Sequence, residues 1–212
     1  MNTDKYYETR FVEDLSREKV WRAINEYLQK YVKENATVLD LGCGYGDFIK
    51  GINAENKYAI DLNDNLKKYF ENEKIEFISQ SVLSEFEIPE KSVDVVFASN
   101  LFEHFSDEEL EKMMKNIDQI LKPNGRIILL QPNIYYAYKE YWDDYTHKKA
   151  FSHVSLSDFL MAHDYQIIRF YKKFIPFSLK SRLPKSYWLT RLYLNFPIKP
   201  FAKQMLVVAE KK

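Results

Sequence analysis

Three of the chain's five glycines, Gly42, Gly44 and Gly46, occupy alternate positions directly after the run Thr37-Val38-Leu39-Asp40-Leu41. Glycine admits positive φ and lets a ligand come close to the main chain. A chain so poor in glycine has a local reason to place three there. Two acids frame the loop: Asp40, two residues before the first glycine, and Asp61, 21 residues after Asp40 at the end of a second apolar run. The spacing is G-x-G-x-G, not the G-x-G-x-x-G of a dinucleotide loop. A carboxylate at Asp40 would also repel a pyrophosphate. It suits a ligand with cationic groups, and Asp61 stands where a carboxylate accepts from both hydroxyls of a ribose.

S-Adenosylmethionine carries an ammonium, a sulfonium and a ribose, and the residues around the loop are matched to it. Cys43, inside the loop, reads as a packing residue, since nothing around it in sequence creates an electropositive site for a reactive thiol.

The second group of chemical residues is the histidines: His104, His147, His153 and His163. His104 follows an apolar run, Val93 to Ala98. It is expected either at the rim of a site or bonded to a backbone group. His147 ends the stretch Tyr141-Trp142-Asp143-Asp144-Tyr145-Thr146-His147, where acids, aromatics and an imidazole crowd one loop. Aromatic faces suit sugar rings, carboxylates bind hydroxyls, and an Asp–His pair makes a base. His147, His104, Asp143 and Asp144 are therefore the catalytic candidates. Asp143, Asp144 and His147 could also ligate a metal, but three donors within five residues of loop are weak evidence, and no metal is expected. His163 reads as a surface residue.

The elements that must hold these residues alternate. A helix is expected over Ser16 to Val32, with Val20, Ile24, Tyr27, Leu28 and Tyr31 spaced by threes and fours. Strands are expected at 37–41, 57–60, 75–78, 93–98 and 126–130, with helices from Asp47, over 63–70 and over 106–121. Ser106 with Glu109 makes a capping box for the last of these. Lys122-Pro123-Asn124-Gly125 reads as the turn that ends it. Alternating strands and helices imply a parallel sheet, with ligands at the carboxyl ends of its strands.

Val38-Leu39-Asp40-Leu41-Gly42-Cys43-Gly44-Tyr45-Gly46 resembles the first motif of class I S-adenosylmethionine-dependent methyltransferases. The segment Val93 to Phe105 and the turn Leu121 to Ile127 resemble their fourth strand and the entry to their fifth. The resemblance covers roughly residues 35–170. It implies an α/β fold: a Rossmann-like doubly wound seven-stranded sheet of order 3-2-1-4-5-7-6 with strand 7 antiparallel. Tyr165 to Tyr171 and Gln204 to Ala209 would be the last two strands. It assigns cofactor binding to Asp40, Gly42, Cys43, Gly44, Gly46, Asp61, Leu62, Ser81, Val82 and Asn100. Ser81 stands where the family usually has an acid facing the adenine amine.

The Asn/Asp-Pro-Pro-aromatic signature of base and amide methylation is missing from Ser99-Asn100-Leu101-Phe102. The loop 142–147, Ser152 to Leu156, and Pro176-Phe177 through Leu183-Pro184 resemble bacterial methyltransferases of polysaccharide and cell-surface glycan synthesis. The implied function is O-methylation of a sugar, sugar phosphate or lipid-linked saccharide. Methylation of RNA or another small molecule, and a non-catalytic cofactor-binding protein, are the alternatives.

The 212 residues make one domain, 1–212, with a helical segment at 1–34 and a basic, aromatic insertion at 171–203 between the last two strands. Net charge is zero, but residues 165–212 hold eleven Lys/Arg against the single acid Glu210. A neutral total argues against a general nucleic-acid binder. The basic insertion is a candidate contact for an anionic membrane surface. With no run long enough to span a bilayer, no signal-type segment at Met1 to Arg10 and one cysteine, the expected place is the cytoplasm, peripheral to the membrane.

Overall fold

The computed structural model describes residues 15–176 and 185–212. The Phe177–Pro184 part of the glycan-associated resemblance lies outside them. Helix α1 (Leu15–Leu28) leads into strands β1 (Thr37–Leu41), β2 (Asn56–Asp61), β3 (Glu76–Ser79) and β4 (Val93–Ser99). Then follow α2 (Asp107–Ile120), β5 (Leu121–Pro132), α3 (His153–Ala162), β6 (Tyr165–Pro176), α4 (Tyr187–Asn195) and β7 (Ala202–Lys211). The strands form one sheet of order β3-β2-β1-β4-β5-β7-β6. β3 through β5 run parallel, while β7 pairs antiparallel with both β5 and β6. This is the expected topology.

β1 is buried along its whole length, as a central strand covered on both faces must be. Leu39 and Leu41 face the layer under α2 and α3, with Leu110, Met113, Met114, Ile117, Leu156 and Leu160. Val38 faces the opposite layer under α1, with Val20, Ile24 and Leu28. The α2 capping box forms: Glu109 N donates to Ser106 Oγ at 3.3 Å, and Ser106 N to Glu109 Oε2 at 2.7 Å.

Three local expectations are corrected. No helix forms from Asp47. Residues 44–51 are consecutive turns, because Asn25 Nδ2 takes the Asp47 carbonyl at 2.8 Å and buried Asp40 accepts the Ile49 N–H, so two helical groups are diverted. The helix over 63–70 is a tight 3₁₀ segment, Asp64–Tyr69, capped by Asn63. Lys122 to Gly125 is no turn between elements but a bulge inside β5: the register with β4 jumps from Val93↔Leu121 to Val95↔Arg126, with Asn124 at φ 60°.

Of the span 171–203, residues to Pro176 continue β6 and Ala202 begins β7. Between them α4 lies on α1, where Tyr187 Oη donates to Glu26 Oε2 at 2.6 Å and the Arg22 guanidinium sits 4.8 Å from the Tyr187 ring centre.

Candidate active site

The loop after β1 turns back on β2. Gly42 N and Cys43 N both donate to the Ile60 carbonyl, at 2.8 and 3.0 Å. Gly42, Gly44 and Gly46 all have positive φ, of 70°, 53° and 77°. The three differ in what surrounds them. A Cβ on Gly42 would meet Leu101 Cδ1 at 2.8 Å and one on Gly46 would meet Phe70 Cε1 at 2.7 Å, whereas a Cβ on Gly44 would meet nothing within 4 Å. Gly44 thus presents bare backbone to open space.

Its N–H donates to Asp61 Oδ2 at 2.9 Å, and Asn63 N donates to Asp61 Oδ1 at 3.0 Å. Asp61 is therefore buried and fixed at the end of β2. Leu62, beside it, is 57% exposed, an apolar face for a flat ring. Burial pushes the Asp40 carboxyl well above its usual range, and the nearby acids Asp47 and Asp61 push it the same way. Arg17 neutralises Asp47 at 2.6 Å. The two acids Asp40 and Asp61 lie next to the open space before Gly44; a cationic ligand there would favour the charged form of Asp40 that burial disfavours, and S-adenosylmethionine is a cationic ligand carrying a ribose. Cys43 is buried, and burial raises its thiol.

Of the other expected cofactor residues, Ser81 and Val82 follow the end of β3 and Asn100 follows the end of β4. Ser81 Oγ accepts the Leu83 N–H at 3.2 Å, and the Val82 side chain is part of the core. Asn100 is exposed at φ 50°, with its Oδ1 accepting from Gln204 Nε2 of β7 at 2.9 Å.

Of the catalytic candidates, His104, His147 and Asp144 come together after the end of β4. The 3₁₀ turn Phe102–His104 follows β4, and the loop after β5 folds over it: Lys148 N and Lys149 N donate to the Glu103 carbonyl at 2.8 and 3.1 Å. His104 and His147, 43 residues apart, stand with ring centres 4.9 Å apart, nearly perpendicular. Thr146 Oγ1 lies 2.8 Å from His104 Nδ1 and 2.6 Å from Asp144 Oδ1. The hydroxyl has one proton. Given to Asp144, it leaves the oxygen to accept from His104 Nδ1–H. Burial, and then His147, lower His104 to about 4, so it is neutral at physiological pH. Asp143, by contrast, is exposed on the outer side of its turn. His153 stacks among Tyr135, Tyr136 and Phe170, and His163 bonds the Phe159 carbonyl and Glu111.

Sequence reasoning passed over Glu103, Thr146 and Tyr141. Glu103 is wholly buried, and burial raises it to about 8. Tyr141, also buried, packs on His147 at 4.7 Å and donates to the Lys149 carbonyl at 2.7 Å. The available signal was Glu103 itself, a charged residue inside an apolar stretch.

Glu103 carries a prediction. Its folded value, about 8, exceeds the unfolded one near 4.5, so between these the fold holds a proton that the unfolded chain has lost, and stability falls as pH rises through that window. His104 works oppositely: its value of about 4 against 6.5 unfolded makes stability rise with pH up to 6.5. Only above 6.5 is the Glu103 effect unopposed by His104. In EDTA-containing buffer, thermal melting should lose up to ~1.4 kcal/mol per pH unit between 6.5 and 8 from this group. Glu103→Gln should flatten that slope. An unchanged slope would show that Glu103 ionises normally.

Comparisons with known proteins agree with this geometry. The model of a methyltransferase domain matches residues 11–170. Phosphoethanolamine N-methyltransferase 1 of Triticum aestivum is 36% identical over 102 residues, 44% of this chain and 20% of that protein. Phosphoethanolamine N-methyltransferase of Plasmodium falciparum is 30% identical over 122 residues, 53% of this chain and 44% of that one. The chain thus spans less than half the length of these two relatives. An S-adenosylmethionine-dependent methyltransferase structure from Archaeoglobus fulgidus has a TM-score of 0.68 at 20% identity over 100% of both chains. One from Clostridium acetobutylicum has 0.64 at 14% identity, over 99% of this chain and 97% of that one. A sheet of order 3-2-1-4-5-7-6, a glycine loop open at Gly44, an acid at the end of β2 and a family match over residues 11–170 lead to one conclusion: the chain belongs to the methyltransferase-domain family, enzymes of class I fold whose methyl donor is S-adenosylmethionine.

Proposed function

We propose that the chain is an S-adenosylmethionine-dependent O-methyltransferase acting on a hydroxyl of a sugar, sugar phosphate or lipid-linked saccharide. The observation that carries this is the meeting of His104 and His147, backed by Thr146 and Asp144, at the carboxyl edge of β4. Asp40, the glycine loop and Asp61 hold the cofactor, with Leu62 against its ring system and Ser81, Val82 and Asn100 around it. Methyl transfer is an in-line displacement. The C–S bond breaks, sulfur keeps the electron pair, and its positive charge disperses. The protein chiefly aligns the reactants, which is worth ~7–11 kcal/mol. A hydroxyl must also lose a proton, and it does so at the histidine cluster. Tyr135, Tyr138, Trp142 and Tyr145, on the segment after β5 that also carries His147, are exposed, and their rings suit the faces of sugar rings. The test is methyl transfer from radiolabelled S-adenosylmethionine to a panel of saccharides, sugar phosphates and lipid-linked saccharides. Turnover on none of them, with binding of the cofactor intact, would refute the saccharide reading.

The relatives favour a second reading, N-methylation of a phosphorylated amine such as phosphoethanolamine. An amine acceptor is included in the same panel, and turnover confined to it would replace the hydroxyl reading.

The segment 171–203 serves this function as a membrane contact. On α4, Trp188, Leu189 and Leu192 share one exposed face, continued by Phe196, Ile198 and Phe201. Residues 166–209 contain no acid. Part of the basic excess is used internally: Lys199 Nζ bonds the Leu194 carbonyl at 2.7 Å and Lys203 pairs with Glu140. The apolar face therefore carries more of the attachment than charge, while each basic residue near an anionic surface adds ~1 kcal/mol. Sedimentation with anionic vesicles should pull down the chain, and Trp188→Ser with Leu192→Ser should release it. Absence of binding at low salt would leave the segment a structural cover of α1.

A further inference from the structure

We propose that Glu103, His104 and His147 form a site for one divalent first-row metal ion, of zinc type, on the acceptor side of the glycine loop. A carboxylate oxygen and one nitrogen from each ring lie within 4.8 Å of one another. Glu103 and His104 come from the turn after β4 and His147 from the loop after β5, so the tertiary fold, not local sequence, gathers the set. Bonds of ~2.0–2.2 Å at tetrahedral angles place ligand atoms about 3.4 Å apart. Reaching that spacing from the 4.8 Å span requires side-chain rotation at Glu103 and His147.

A second observation points to a missing cation. Glu103 has no exposed surface, and its carboxylate makes no hydrogen bond to another described residue; only its own N–H lies near it. Buried polar groups are normally bonded. The two lysines whose main chain bonds the Glu103 carbonyl engage other acids with their side chains: Lys148 Nζ binds Glu109 at 2.7 Å and Lys149 Nζ binds Asp107. A metal ion supplies what they do not.

A third observation is the support behind His104. Its Nδ1–H reaches Asp144 through the Thr146 hydroxyl, at 2.8 and then 2.6 Å. Metal-bound histidines characteristically give their other ring N–H to such an outer partner, which fixes the ring and tautomer. A metal would take the other ring nitrogen in competition with the Asn100 and Thr146 main-chain groups that the ring also approaches. Two imidazoles and one carboxylate, with further positions open, are the donors of catalytic zinc, whereas magnesium and calcium take oxygen sets.

This inference rests on the hydroxyl-acceptor reading and deepens it. The acceptor oxygen takes an open position on the ion, which lowers its pKa. Its proton leaves to solvent, an O–CH₃ bond forms, and the C–S bond breaks with both electrons going to sulfur. No electrons are exchanged with the metal.

The test strips the whole chain with EDTA, then titrates it with Zn²⁺, and with Co²⁺ as a visible stand-in. One ion per chain and Co²⁺ ligand-field bands are expected. Thr146→Val, which touches no metal, should weaken Co²⁺ binding roughly tenfold to a hundredfold. Glu103→Gln and His147→Ala should weaken it at least as much. His147→Ala sits at a half-buried loop position, so it keeps the test valid should Glu103→Gln fail to fold. S-Adenosylhomocysteine titrated in parallel should bind every variant equally, which separates this site from the cofactor site. No bound ion, or Zn²⁺ held equally by His147→Ala, would overturn the proposal.

Discussion

S-Adenosylhomocysteine should bind Gly44→Val about a hundredfold more weakly than the unaltered chain, or not at all. The reason lies in two facts about one residue. Gly44 has φ 53°, a left-handed conformation that a β-branched residue adopts only at a cost of roughly 1–2 kcal/mol. The space before its Cα holds no protein atom within 4 Å, so a side chain there obstructs the ligand rather than the fold. Gly42→Ala and Gly46→Ala are the controls. Their added methyls would strike Leu101 and Phe70 on top of the strain of a positive φ, so they should lower thermal stability more than Gly44→Ala, which carries the φ strain alone and still weakens binding. Asp61→Ala removes the acceptor of the Gly44 and Asn63 N–H groups together with the ribose acceptor. It should cost ~1–3 kcal/mol, roughly fivefold to 150-fold in affinity. Isothermal titration measures all of these. Full affinity in both Gly44→Val and Asp61→Ala would place the cofactor elsewhere.

The loop and acids proposed to hold the cofactor were legible in sequence because they are carried by backbone conformation and by strand ends. Gly42, Gly44 and Gly46 must be glycine for the same reason that they are conspicuous, a positive φ at each. Asp40 and Asp61 sit at the ends of runs whose apolar character marks them as buried strands. What the sequence did not convey is competition between local and distant partners. Asp47 begins a stretch with helical composition, yet its carbonyl is captured by Asn25 of α1 and the Ile49 N–H by Asp40. The acceptor half was half legible. His104 and His147 were visible as reactive types, but their meeting depends on the β5 loop docking on the Glu103 carbonyl, a long-range contact without a sequence period. Glu103 was hidden inside an apolar segment, and its burial only acquires meaning once His147 is beside it. The metal donors weighed from sequence, Asp143, Asp144 and His147, share one loop. The set that the fold gathers keeps only His147 of these and uses Asp144 behind Thr146 instead.

That division makes the acceptor side separable from the cofactor side. Single replacements His104→Ala and His147→Ala should each lower methyl transfer to a hydroxyl acceptor by ~10²–10⁴ while S-adenosylhomocysteine affinity stays unchanged. His104 is held neutral, at about 4, so its loss should remove activity without deleting an ionisation near pH 6.5 from the rate profile. Thr146→Val leaves both rings in place but takes away the hydroxyl that links His104 to Asp144, and its rate loss should be smaller than that of either histidine variant. EDTA decides how the cluster works. With a bound ion, chelation of the unaltered chain should reproduce the His147→Ala rate, and chelation of His147→Ala should change nothing more. Rates indifferent to EDTA but lost in the histidine variants would make the bare imidazoles the proton acceptors. Rates within a few-fold of wild type in both single variants would remove His104 and His147 from the chemistry altogether, and leave Asp143 and Asp144 or an acceptor needing no base.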